Sequence, residues 1–207
     1  ARLADIHFGG AEFDLAVRML DETGRELAAN DENALHVQDP VVSLKVPEGL
    51  PDGHVYVEVR QSENQPRAIP YAVHIGTFRR PLAAYPAGGP AGKPLTTTLL
   101  GDPLGDLKET VAMPASPGTV LYFGDAPSPL ALRSSPCDNL LEERDAAETR
   151  VLALPIALNG VIEKPGDTDA FRLTVSKGDR YRVRVWGSAL GHPIDPAIRI
   201  RPIGPDG

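Results

Sequence analysis

The sequence predicts an all-β chain built of β-sandwich modules, and three observations carry that expectation. Glycine and proline supply 20 and 21 of the 207 residues, about a fifth of the chain against a usual share of roughly 12%. They punctuate short apolar runs instead of forming low-complexity tracts, which is the pattern of turn-rich strands. Several of those runs alternate apolar and polar residues with the period of two that a half-buried strand requires. Finally, one pattern occurs twice. Gly10, Phe13, Asp14, Leu15, Ala16, Val17 and Arg18 are matched at the same spacing by Gly191, Ile194, Asp195, Pro196, Ala197, Ile198 and Arg199. Repeats argue for a structural or interaction role before an enzymatic one. The residues after the first copy, Gly24 to Ile75, have no counterpart after the second, and those before the second, Leu154 to Val183, have none before the first. The expectation is a piece of a longer repeat protein, cut inside a module at both ends.

Taken in order, residues 1–78 read as the late strands of one sandwich. Val55, Val57 and Val59 alternate with Tyr56, Glu58 and Arg60, and Tyr71, Val73 and Ile75 alternate with Ala72 and His74. Residues 79–132 form a second unit. It opens at Arg79-Arg80-Pro81, passes through the turn-rich stretch Tyr85 to Gly92, and continues as a threonine-rich strand from Leu95 to Leu100 with a turn at Gly101-Asp102. Residues 133–150 read as a polar linker. Leu140 to Thr149, with Glu142, Glu143, Arg144, Ala146 and Ala147, is the one stretch with helical promise, although it is short for a helix. Residues 151–207 read as the early strands of another sandwich. There Phe171, Leu173 and Val175 alternate with Arg172, Thr174 and Ser176. Lys177-Gly178-Asp179 supplies a turn, and Tyr181, Val183 and Val185 then alternate with Arg180, Arg182 and Arg184. The expected product is a hairpin with one apolar and one basic face.

Charge and composition exclude some partners. A net charge of -7 without a Lys/Arg cluster argues against nucleic acid. The longest apolar runs, such as Val151 to Leu158, are too short to span a bilayer, so no membrane insertion is expected. Cys137 is the only cysteine; it sits beside Ser134, Ser135 and Pro136 and reads as an incidental thiol.

The chemistry that the residues offer is sparse. Asp167-Thr168-Asp169 places two carboxylates in a glycine-initiated turn, where they could give hard oxygen ligands to Ca²⁺ or simply shape the turn or form a salt bridge. Asn30-Asp31-Glu32-Asn33 with Asp39 departs from the EF-hand pattern and reads as a solvated loop, with calcium binding as the alternative. Gly88 to Lys93 imitates a phosphate loop, but Ala87 replaces its first glycine and Pro94 the residue that would meet Mg²⁺. His7, His36, His54, His74 and His192 show no close metal spacing. In Gly187-Ser188-Ala189-Leu190-Gly191 the serine is one place too early for a nucleophile elbow. Trp186 ends an alternating run and serves packing or sugar stacking. Neither a catalytic nor a cofactor-binding set emerges, so the expectation is a protein that is not an enzyme.

In residues 151–207, Pro155, Asn159-Gly160, the run from Gly166 to Phe171, Val175, Lys177-Gly178, Tyr181 and Asp195-Pro196 make the segment resemble the bacterial pre-peptidase C-terminal (PPC) domain. That resemblance implies a jelly-roll-like sandwich found beside secreted peptidases and in surface proteins. Residues 1–78 look like the remainder of the same domain, through Asp14-Leu15, Asp21 to Gly24, Asn30-Asp31-Glu32, Asp52 to Val59 and Tyr71 to Ile75. Between them, Pro86-Ala87-Gly88-Gly89-Pro90-Ala91-Gly92 and the strand to Leu100 resemble the start of an Ig-like domain of the IPT/TIG type. The PPC resemblance implies that a calcium site would complete Asp167 and Asp169 with Glu142 and Asp145. Leu140 and Arg144 stand where two further ligands would be, and Arg144 could instead pair with Asp167 or Asp169. Ala170 replaces the family's usual aromatic and removes core volume.

The function expected is therefore that of a secreted or cell-surface module array, a spacer or adhesion region contacting protein or glycan. The alternatives are an accessory substrate-binding domain of a secreted peptidase or other hydrolase, and a calcium-dependent carbohydrate-binding module. Half-sandwiches expose apolar faces and ladder edges, so the missing strands are expected to lie in a longer parent protein; the alternative is that the two chain ends pair, within one chain or head-to-tail between chains.

Overall fold

A computed structural model describes residues 15–31, 40–50, 53–61, 70–142 and 151–202. The chain is all-β: no α-helix occurs among the described residues, whose only helical turn is a 3-10 turn at Ser188–Leu190. None of them forms a helix long and apolar enough to cross a membrane.

The N-terminal unit is a three-stranded antiparallel sheet of β1 (Leu15–Leu20), β2 (Glu26–Asn30) and β3 (Tyr56–Gln61), in the order β2-β1-β3. Asp21 shapes the β1–β2 turn. Its carboxylate accepts hydrogen bonds from the Thr23 hydroxyl (2.6 Å), the Thr23 and Arg25 amides (2.9 and 3.0 Å) and Arg25 Nε (2.9 Å), while Gly24 supplies the positive φ of +81°. These bonds, that from the Thr23 hydroxyl first, hold the Asp21 carboxyl below the usual carboxylate range. Across the sheet Arg18 lies opposite Glu58 and grips it with both Nη2 contacts at 2.6 and 2.8 Å. Tyr71, Val73 and Ile75, expected to close this unit as a strand, make no ladder among the described residues and are 59%, 48% and 68% exposed.

The central unit comprises β4 (Ala83–Tyr85), β5 (Gly88–Pro90), β6 (Pro94–Leu100), β7 (Leu107–Ala112), β8 (Gly118–Tyr122) and β9 (Leu130–Ser135). They form two three-stranded sheets, β4-β6-β7 and β5-β9-β8. Both sheets feed one buried cluster of Ala84, Leu95, Leu99, Val111, Met113, Leu130 and Leu132, an arrangement consistent with a β-sandwich. Alternation explains it directly, because Leu95, Thr97 and Leu99 of β6, and Leu130, Leu132 and Ser134 of β9, are the buried phase of each strand. The two buried hydroxyls are satisfied: Thr97 donates to the Pro86 carbonyl (2.8 Å), and Ser134 reaches the Ser116 carbonyl (3.2 Å). Gly88 is needed where β5 runs parallel to β9, since a Cβ there would overlap the Arg133 carbonyl.

The C-terminal region adds β10 (Asn139–Leu141), β11 (Val151–Leu152), β12 (Ala157–Asn159) and β13 (Arg172–Leu173), paired as parallel couples β10–β12 and β11–β13. Residues 133–135 of the expected linker complete β9, and 139–141 are β10. Leu140 and Leu141 are therefore strand, not helix; residues 143–149 of that expected helix lie outside the described residues. The expected hairpin forms only its turn. Asp179 N donates to the Ser176 carbonyl (3.1 Å) and Gly178 has φ +94°. Among the described residues no antiparallel ladder joins the flanks, and Val175, Tyr181, Val183 and Val185 stay 44–58% exposed. An isolated pair of strands with no layer over its apolar face is marginal in water, which accounts for the missing ladder. Ala170 is exposed, so its small size leaves no hole in a core here.

Candidate functional site

The polar features that converge lie where the central unit meets the C-terminal region. Asn139 on β10 and Asn159 on β12 sit at opposite ends of a parallel pair only three residues long. Asn159 Nδ2 donates to Asn139 Oδ1 (2.7 Å), Asn139 Nδ2 donates to the Gly88 carbonyl (3.0 Å), and Asn159 Oδ1 accepts from the Ala87 amide (3.0 Å). Two amides thus tie β12 to the glycine-rich turn of the central unit. On the same boundary two guanidinium groups lie over the Trp186 ring, Arg133 of β9 at 4.2 Å and Arg184 at 3.9 Å from the ring centroid. The adjacent 3-10 turn buries Leu190 (2% exposed), and Gly187 allows Ile194 to approach closely. Trp186 is half-buried and packs against these two cations.

One turn further on, Glu142 and Asp169 meet. The Glu142 amide donates to the Asn159 carbonyl (2.8 Å), and its Oε2 accepts from the Val161 amide (2.9 Å). Asp169 lies against it: a Cβ built on Gly160 would fall 2.7 Å from Asp169 Oδ2 and 2.9 Å from Glu142 Oε2. Burial, the shared hydrogen bond with Glu142, and the charges of Glu142, Asp167 and Glu163 push the Asp169 carboxyl up to about 6. Asp167 is turned away into its own loop, where Oδ2 accepts from the Glu163 amide (3.0 Å) and Oδ1 from the Thr168 amide (3.1 Å).

Of the four residues anticipated as calcium ligands, Glu142 and Asp169 are brought together and Asp167 stays nearby with both oxygens on backbone amides. Asp145 lies outside the described residues, as does Arg144, anticipated as an ion-pair partner. No group of three or more His, Cys, Asp or Glu side chains is placed to hold a metal ion among the described residues, and two convergent carboxylates fall short of the six to eight oxygens that Ca²⁺ takes. In the loop at residues 30–39 only Asn30 and Asp31 are described. His192, partly buried, has its pKa lowered by that burial. Sequence reasoning missed the joint built by Asn139, Asn159 and Arg133, since nothing in the spacing of two asparagines 20 residues apart marks them as partners.

The fold and the junction define the class: an all-β chain whose central unit is locked to the strands on its C-terminal side. Comparison with family models, curated proteins and solved structures finds no match to it.

Proposed function

We propose that this chain is a non-enzymatic module region of a secreted or cell-surface protein, acting as a spacer or adhesion segment that contacts protein or glycan. The observation that carries the reading is the junction, where the Arg133–Trp186–Arg184 stack and the Asn139–Asn159 clasp fasten one β unit to the next at several independent points. On this reading the joint restrains two modules that a small polar interface would otherwise leave free to move, which a spacer needs and a freely jointed linker does not provide. Resemblance of residues 151–207 to PPC domains, and of 79–132 to IPT/TIG domains, supports the same reading. The meeting of Glu142 with Asp169 supports the PPC assignment in particular, because both fall at that family's acidic positions. Strand pairing between the N-terminal and C-terminal regions, within a chain or between chains, belongs to this proposal.

Small-angle scattering tests it. The full chain is expected to scatter as one stiff particle across residues 79–202, and Trp186→Ala to loosen it. A wild-type chain that already scatters as freely jointed units overturns the spacer reading.

A second reading, an accessory or calcium-dependent carbohydrate-binding module, draws on the Glu142–Asp169 pair, whose mutual repulsion a cation would relieve. Calorimetry with Ca²⁺ followed by a glycan array decides it: heat from neither ends that reading.

A further inference from the structure

The repeat supplies an internal template for a segment that joins no sheet among the described residues. In the first copy Val17-Arg18-Met19 lies within β1, its ladder to β3 set by Val17 opposite Val59, Arg18 opposite Glu58 and Met19 opposite Val57. The second copy, Ile198-Arg199-Ile200, makes no ladder among the described residues. Ile198 and Ile200 are 49% and 78% exposed, and Arg199 is exposed as well. The same three-residue pattern of apolar, arginine, apolar is thus satisfied at one end of the chain and idle at the other.

An edge of the right chemistry is also unpaired among the described residues. Among the described residues β3 is paired on one side only, by β1, and Tyr56 at its start is 57% exposed. Unpaired edges of this kind are templates for strand addition. Charge favours the encounter: residues 1–78 carry 13 carboxylates against 6 Lys/Arg, whereas residues 151–207 carry 6 against 8. The acidic end of one copy therefore attracts the basic end of another.

We propose that Ile198-Arg199-Ile200 of one copy adds antiparallel to the free edge of β3 in a second copy, in the register that β1 uses on the other edge. Arg199 then faces Glu58, while Ile198 meets Val59 and Ile200 meets Val57, β-branched pairs on the apolar face. Glu58 ends between two arginines, Arg18 from its own sheet and Arg199 from the newcomer. The contact is head-to-tail, so every copy keeps one free edge and one free strand, and association grows into open chains instead of closing as a symmetric dimer. This deepens the module-array reading and rests on it, naming a second copy as the partner of the outer strands.

Register makes the test specific. In a Cys137→Ser background of the full chain, Tyr56→Cys and Arg201→Cys would lie directly opposite, at a separation that a disulfide spans. Mild oxidation of this double variant is expected to give disulfide-linked dimers and longer ladders. The off-register pair Arg60→Cys with Arg201→Cys is expected not to do so. Sedimentation of the unmodified chain should show concentration-dependent association that Arg199→Glu weakens about tenfold, by setting like charges opposite each other; Arg199 is exposed, so this variant still folds. Monomeric mass at every concentration, or a cross-link confined within one chain, overturns the proposal. Neither result touches the stiffness of the 79–202 junction, so its failure and that of the spacer reading are told apart by scattering.

Discussion

The central unit and the C-terminal region carry equally regular strand alternation and end differently. In β6 and β9 the apolar phase is sealed: Leu99 is 3% exposed and Leu132 0%. In residues 171–185 the same phase, Phe171, Val175, Tyr181, Val183 and Val185, remains at 36–58%. Both stretches have a turn in place, and the C-terminal one even has its Asp179 side chain accepting from the Tyr181 hydroxyl (2.7 Å). What differs is a second layer. The central unit folds two sheets onto one cluster, while the described residues of the C-terminal region form only two-stranded parallel couples. Alternation specifies which face could be buried, and burial requires something to lie against it.

That contrast breaks most sharply under truncation. Leu132→Ala removes a fully buried side chain from the shared cluster and is expected to cost about 2–5 kcal/mol. Val183→Ala, identical in kind but on an open face, is expected to change stability by less than about 0.5 kcal/mol. Urea unfolding of both variants reads the difference, and equal losses would mean that the C-terminal face is covered in solution.

A smaller effect separates buried from exposed threonines within a single strand. Thr97 is 1% exposed and donates to the Pro86 carbonyl, whereas Thr96 is exposed and shares a 3.2 Å contact with Thr110 across the ladder. Thr97→Val leaves a buried carbonyl without its donor and should cost about 1–3 kcal/mol. Thr96→Val, with water available to its neighbour, should cost almost nothing. Denaturant midpoints of the two variants that coincide would show that the Thr97 hydrogen bond contributes nothing net.

How much of this the sequence disclosed depends on the range of the interactions behind each feature. The all-β class, the strand through Leu95–Leu100 and the one around Val57 were legible because period-two alternation and glycine turns are local signals. Leu140-Leu141 misled towards helix because leucine, like the glutamates and alanines after it, favours helix. Only the parallel partner β12, reached after a long excursion, decides for strand. Glu142 and Asp169 were linked through a family resemblance, and no spacing rule would have joined them. The Arg133–Trp186 contact depends on how two units meet, which alternation within either one does not encode.

The smallest effect sharpens the comparison at the boundary itself. The central core is held by apolar contacts indifferent to pH, while the junction holds a carboxyl pair, so the two should respond differently to acid. Asp169 titrates near 6 in the folded chain, raised from an ordinary value of 3.8 by burial and then by the hydrogen bond with Glu142. A raised acid pKa means that the folded state binds its proton more tightly than the unfolded state does. The resulting stability is full below about pH 4 and is lost as pH rises through about 6. Asp169→Asn cannot ionise, so it should flatten the pH dependence over that window and be the more stable form at pH 7. Asp169 is only partly buried, and solvent screening limits the gain to about 1 kcal/mol or less. Glu142→Gln should flatten the same window while keeping an acceptor for the Val161 amide. Thermal melts from pH 4 to 7 measure it, and an unchanged slope in both variants would show that the two carboxyls do not share a proton. Leu132→Ala, by contrast, should lower the melt equally from pH 4 to 7, because Tyr122, the titratable side chain packed against that cluster, has its pKa raised by burial and ionises above this window.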